Sequence, residues 1–324
     1  MKKSFFLLLV LMTIGPWVFG QHPVILQMNQ KLGDLPFAHN TPVQASAGYY
    51  LKIDRLQYYI SEIRLIHDGG QVTSLTDLHF LVTPIRNFMY DLGSAEVTDV
   101  EKIEFSIGVD PAHNHLDPAT YPIDHPLAPQ NPSMHWGWTA GYRFIAFEGF
   151  GSTNGSTFPN NFQIHTVDDT NYKTVTIDVE EEMQGDTIVI PIQADYLRLL
   201  DNVDVSAGLI SHSSIGASKT IMENMAEHVF TGATSSSTIE PGVKGSLSVS
   251  PNPSSGEFTI TYAFPGLTNL QMRLTDMAGI TYLTQALNAD AASQKVSVRV
   301  ASGIYYLLIQ ANERVIAMEK IMIY

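Results

Sequence analysis

The chain has 324 residues, 44% hydrophobic and 10% aromatic, enough to bury a large core and, by length, to divide into two domains. Acidic side chains number 32 against 18 basic, a net charge of −14, and there is no cysteine. That balance argues against nucleic acid, whose phosphates the protein would repel, and the missing thiol excludes disulfides and thiolate metal sites.

The first twenty residues, MKKSFFLLLVLMTIGPWVFG, set Lys2 and Lys3 before an apolar run and end in Gly20. This is the pattern of a secretory signal peptide over residues 1–20, cleaved before Gln21, and its apolar core is short for a membrane span. No later stretch is long and apolar enough to cross a bilayer, so the mature chain is expected to have no transmembrane segment.

Residues 21–230 read mainly as β-structure. In VEKIEFSIGVD, residues 100–110, Ile103, Phe105, Ile107 and Val109 alternate inward, as in a half-buried strand. LKIDRLQYYISEIRLI, YKTVTIDVE and DTIVIPIQA give further strands between Gly/Asp turns. One helix is expected within SIGASKTIMENMAEHVF, capped by Ser218, with Ile221, Met225 and Val229 on one face. The expectation is a β-sandwich-like domain with minor helix. The Ser/Thr/Gly-rich residues 231–246, TGATSSSTIEPGVKGS, read as a linker. Residues 247–324 follow with GEFTITYAF, LQMRLTDMAG, QKVSVRVA and a last hairpin about Asn312, the pattern of a small immunoglobulin-like antiparallel β-sandwich.

All eleven histidines lie between His22 and His228, and residues 245–324 are electrically balanced, so the acidity belongs to the first domain. An acidic, histidine-rich domain is compatible with binding cations. His113, His115, His125, His135 and His165 share one 53-residue window. Imidazole suits copper and zinc, and a thioether such as Met134 favours Cu(I). In PAHNHLDP, an extended backbone would turn His113 and His115 to one side; a polar loop is the competing reading, and Asp110, Asn114 and Asp117 also allow a Ca²⁺ loop. In MHWGW, an extended backbone would put Met134, Trp136 and Trp138 on one face and His135 on the other, with the indoles and thioether packing a core. Glu148, after the apolar strand FIAFE, is expected either to pair with Arg143 or to support a metal ligand from behind. The remaining histidines, 22, 39, 67, 79, 125, 212 and 228, read as surface or capping residues. His22 would sit beside the new N-terminus, whose amine can join it in a Cu(II) chelate unless Gln21 cyclises. No G-x-S-x-G, H-E-x-x-H or P-loop is present, so the chain is not expected to be an enzyme.

Two resemblances sharpen these readings. VSPNPSSGEFTI (249–260), LTDMAGI (274–280), SGIYYLLI (302–309) and the terminal EKIMIY resemble the type A sorting domain of the Bacteroidota type IX secretion system. The matching positions are Pro251, Asn252, Pro253 and Gly256, then Asp276 and Gly279, then Gly303 and Tyr305, and finally Lys320. The resemblance spans about residues 245–324 and implies an export address read by the type IX secretion machinery at the outer membrane.

Residues 24–230 resemble the MbnP-like family of bacterial copper-binding proteins. The residues that carry this are LKIDRLQYYISEIRLIHDGG (51–70), IEFSIGVD (103–110), MHWGWTAGYRFIAFEG (134–149) and the pair Phe162 and His165. The resemblance implies a secreted protein that binds copper through histidines. In some members a tryptophan becomes kynurenine, which requires a di-haem peroxidase-type partner. The candidate ligands are His113, His115, His135 and His165, with Met134, Trp136 and Trp138 as lining or modified residues and Glu148 behind them. The expected function is therefore a secreted or cell-surface copper-binding protein, exported through the periplasm. The competing expectation is an extracellular carbohydrate- or ligand-binding module without metal, whose tryptophans stack on the ligand.

Overall fold

Alternating apolar and polar residues build nearly all of the molecule. The computed structural model describes residues 21–84, 89–184, 186–233, 246–276, 281–288, 293–311 and 314–324. The leader over 1–20, most of the 231–246 linker, Gly279 and the hairpin turn at Asn312 lie outside them. The first part of the chain contains β1 (His22–Leu32), β2 (Leu35–Pro36), β3 (Val43–Gln44), β4 (Tyr50–His67), β5 (Gln71–Val82), β6 (Met89–Ala95) and β7 (Val100–Ile107). It continues with β8 (Ile145–Ser152), β9 (Asn160–Thr166), β10 (Lys173–Asp178), β11 (Glu182–Gln184), β12 (Thr187–Asp195), β13 (Leu209–Ser213), the helix α1 (Ala217–Asn224) and β14 (Phe230–Gly232).

These strands form two sheets. A six-stranded sheet runs β11-β12-β1-β2, with β14 beside β12 and β6 beside β1. An eight-stranded sheet runs β10-β7-β4-β8-β9-β13, with β3 and β5 also on β4. The long β4 is the spine: Tyr50–Tyr58 pairs with β8, and Ile60–His67 pairs with both β5 and β7. Ile103, Phe105 and Ile107 point into the core between the sheets as the alternation requires, and Val109 continues the row just past the strand. Each such side chain contributes about 1.5–3 kcal/mol by leaving water. Ile221, Met225 and Val229 close the core as one helical face. Ser218 does not cap α1: the cap position is Gly216, and the buried Ser218 bonds Ser211 instead.

The second part contains β15 (Ser246–Ser250), β16 (Glu257–Ala263), β17 (Leu270–Asp276), β18 (Thr281–Ala286), β19 (Ser293–Ser297), β20 (Gly303–Ala311) and β21 (Arg314–Ile323). They pair antiparallel as a three-stranded sheet, β15-β16-β19, and a four-stranded sheet, β18-β17-β20-β21, around a second core. Asn252, Gly256 and Tyr305 of the sorting motif hold turns of this tail. Asn252 Oδ1 accepts the Met322 N–H at 2.9 Å, tying the Pro-Asn-Pro turn to the last strand. Gly256 has φ +91° and would drive a Cβ to 2.5 Å from the Val298 carbonyl. Asp276 stands opposite Tyr305, Gly303 opposite Ile323 and Lys320 opposite Tyr306; the Tyr305 hydroxyl donates to the Ala301 carbonyl. The two parts meet where Ile25 and Met89 pack on Tyr306 and Leu308, with the Tyr306 hydroxyl donating to Asp91 at 2.8 Å.

Candidate functional site

Four adjacent strands carry one polar row across the large sheet. Arg55 on β4 stands opposite Glu148 on β8. Glu148 faces Gln163 on β9, so His165 is its diagonal neighbour, and His165 is in direct register with His212 on β13. Leu56, Phe147 and Ile164 are fully buried in the core, so the period-two pleat turns Arg55, Glu148 and His165 to the opposite face. The segment 131–144 folds over that face.

This covering segment is a turn, not a strand. Trp136 N–H donates to the Gly141 carbonyl, Gly141 N–H donates to the Gly137 carbonyl, and Gly137 has φ +90°. The alternation expected for MHWGW is therefore broken. Met134 is buried, as packing predicts, with its sulfur 3.2 Å from Arg55 Nη2, where a guanidinium already occupies it. The indoles are not core: Trp136 is 39% exposed and Trp138 is 69% exposed. Trp136 sets its edge against His165 (5.9 Å between centroids) and His212 (5.1 Å), with the Arg143 guanidinium over its ring at 4.9 Å.

Glu148 Oε1 accepts from Arg55 Nη1 at 2.7 Å and from His165 Nε2 at 2.9 Å. Its expected partner Arg143 instead donates to the Ser133 carbonyl. The hydrogen bond from His165 outweighs burial and, with Arg55, holds the Glu148 carboxyl below its usual range. A carboxylate only accepts, so in the neutral form of the His165 ring the proton sits on Nε2 and Nδ1 carries the lone pair. That Nδ1 is buried and has no hydrogen-bond partner among the described residues. The His212 ring lies parallel to His165, 4.2 Å away and 3° from coplanar orientation. Burial, reinforced by His165 and Arg143, holds His212 below the usual histidine range and favours its neutral form.

The other expected ligands go elsewhere. Residues 111–115 form a turn in which His113 and Asn114 N–H donate to the Asp110 carbonyl, so His113 and His115 do not share an extended face. His115 Nδ1 donates to the Trp138 carbonyl at 2.9 Å, and its Nε2 lies 3.5 Å from Asp169. His113 Nδ1 lies 2.8 Å from Asp110, whose other oxygen is 2.8 Å from His79 Nε2. His135 packs edge-on against Tyr142, and its Nδ1 accepts the Gly137 N–H. Its ring proton is thereby placed on the buried, unpartnered Nε2, which then offers no lone pair. Asn114 donates to Asp169 and accepts the Tyr142 N–H, while Asp117 caps the short turn 118–120, so no Ca²⁺ loop forms. The structure thus brings His165 to Glu148 and Trp136, and His113 to a separate cluster. His212 and His79 read from the sequence as surface or capping residues, yet they are the nearest imidazole neighbours of His165 and His113. His67 is also buried, between Asp68 and Thr73.

His165 offers a transition metal one in-plane lone pair, at Nδ1; the parallel His212 ring would have to turn for its own to converge on the same ion. Histidine ligands characteristically donate their second ring nitrogen to a carboxylate, which fixes ring and tautomer. Glu148 accepts from His165 Nε2 in the same way, and an unfilled buried acceptor such as Nδ1 costs about 1–3 kcal/mol.

Fold and site together define a mainly β protein with an imidazole site on the outer face of its large sheet and a small β-sandwich tail. Residues 21–220 match the family model MbnP, and residues 248–324 match the secretion system C-terminal sorting domain. The chain belongs to the MbnP family. The tail marks it for export to the cell surface or extracellular space through the type IX secretion machinery. Among solved structures it is similar to MbnP from Methylosinus trichosporium at 17% identity, over 61% of this chain and 83% of that one, with a TM-score of 0.44. Domains 3 and 4 of rat CD4 match at 9% identity, over 55% of this chain and 77% of that one, with a TM-score of 0.19. No curated protein matches the chain. Among the described residues no helix is long and apolar enough to cross a membrane.

Proposed function

We propose that this protein binds copper at the cell surface or outside the cell, as a binding protein and not an enzyme, and that His165 and His212 hold the ion. The observation that supports this most is the buried Nδ1 of His165, unpartnered among the described residues, with the His212 imidazole 4.2 Å away and free to turn its lone pair toward the same ion. Family membership points the same way, because MbnP proteins are associated with copper. Two neutral imidazoles are good ligands for copper in either oxidation state. Bound copper would supply one-electron exchange; the protein's part is positional. Glu148 orients His165, Arg55 balances Glu148, and Trp136 shields the two rings. Of the two indoles, Trp136 is the one against the imidazoles, so a kynurenine made by a peroxidase-type partner belongs at that position and would show in its peptide mass.

Copper titration of the full exported chain against a competing chelator tests this reading. His165→Ala and His212→Ala should abolish the tight equivalent, and Glu148→Gln should weaken it about 10–100-fold by freeing the ring. His113→Gln, in the separate cluster, should keep it. Equal binding by all four variants and the unaltered protein would rule this site out. A second reading, a ligand-stacking module, rests on the exposure of Trp138. Glycan binding lost in Trp138→Ala, with no copper bound, would favour it.

A further inference from the structure

We propose that His79, Asp110 and His113 form a second metal site, specific for a divalent transition ion of the zinc class and independent of the His165 site. One ligand atom from each residue lies within 4.8 Å of the other two. Three separate features of the chain produce that convergence. His79 is placed on β5 opposite Ser61 of β4, and the Ser61 hydroxyl donates to the Gly108 carbonyl at the end of β7. Gly108, with φ +115° and Phe144 at 2.7 Å from an added Cβ, turns the chain so that Asp110 follows directly beneath His79. The Asp110 carbonyl then accepts from the N–H groups of His113 and Asn114, folding the His113 ring back over the same carboxylate.

The site is both sheltered and reachable. His79 and Asp110 are more than nine-tenths buried, while His113 is partly exposed. All three line a cavity of about 440 Å³, whose wall also holds Glu62, Asp77 and Glu104 against Arg64. Three carboxylates facing one guanidinium attract a cation toward the inner end. Across this wall β4 and β5 are irregular: Glu62 and Asp77 have φ of +49° and +60°, and the β4–β5 register shifts between Ser61 and Ile63.

The ligand chemistry selects the ion. Two imidazole nitrogens and one carboxylate oxygen suit Zn²⁺ and its neighbours, whereas Ca²⁺ and Mg²⁺ require mainly oxygen ligands and Cu(I) prefers sulfur. His79 Nε2 and His113 Nδ1 each lie 2.8 Å from an Asp110 oxygen, so an ion among them would take those two nitrogens and the carboxylate, each ring then carrying its proton on its other nitrogen. Three protein ligands leave a position toward the cavity for water or a small molecule.

The test is calorimetric titration of the full exported chain with Zn²⁺, and separately with Ca²⁺. One Zn²⁺ equivalent should bind, raise the melting temperature, and survive in His165→Ala. Asp110→Asn and His113→Gln should weaken it by about 100-fold or more. His113→Gln changes a partly exposed turn residue, so its circular dichroism should stay that of the unaltered chain. Zn²⁺ binding unchanged in both variants, loss of the equivalent in His165→Ala, or Ca²⁺ binding with equal affinity would each overturn the proposal. Because the ligands differ, failure of the copper reading at His165 leaves this result interpretable.

Discussion

Asp68, in the turn after β4, accepts hydrogen bonds from both the hydroxyl and the N–H of Thr98, while buried His67 places Nδ1 2.8 Å away. The Thr98 hydroxyl is the main cause, with His67 contributing, of an Asp68 carboxyl held below its usual range. A depressed carboxyl stabilises the fold fully above its unfolded value, about 3.9, and that contribution is lost as pH falls through the lower native value. Asp68→Asn should therefore melt below the unaltered protein at pH 7, and the gap should close in strong acid; an unchanged gap would show that the carboxylate is not what fastens the turn. Individual residues were legible in the sequence only where their role is local. Met134 reads as packing and is buried, while Glu148, which reads either as a partner of Arg143 or as support behind a ligand, bonds Arg55 and His165. The partners of the imidazoles were not legible. His212 meets His165 through strand register 47 positions along the chain, and His79 meets His113 across a bulged pair, so neither leaves a local spacing signal.

At the scale of elements, period-two alternation located the long strands, because one face of each is buried and a slip by one residue would expose it. The extended backbone considered for MHWGW and PAHNHLDP does not form, and the second takes its polar-loop alternative: Gly137 at φ +90° and the Asp110 turn take the backbone out of the extended region, which neighbouring side chains do not report. Strand β8 depends on close backbone approach as well as pattern. A Cβ on Gly149 would lie 2.1 Å from the Lys52 carbonyl of β4 and 2.8 Å from the Phe162 ring. Gly149→Ala should cost about 1–3 kcal/mol by overpacking, and lower the melting temperature by about 2–4 °C for each of those. A melting temperature equal to the unaltered protein would mean that the β4–β8 pair can part without penalty.

For the whole molecule, the division of histidine and charge was visible in composition, and the two family matches follow the same division. The contact between the parts was not visible, since it rests on Ile25 and Met89 meeting the outer face of β20. Deleting residues 246–324 should leave the remaining protein in the periplasm when fractions are compared by immunoblot, and normal surface delivery of that truncation would refute the address. It should also uncover Ile25. The same strand has a further consequence. Val24 of β1 pairs in parallel with Ile188 of β12, and Lys31 with Asp195. A polypeptide threaded through a translocon amino end first must therefore wait, its opening strand paired only with β2 and β6, until Asp195 has also crossed. Any shorter nascent chain leaves the β12 edge of β1 bare, a ready strand edge for holdases and proteases.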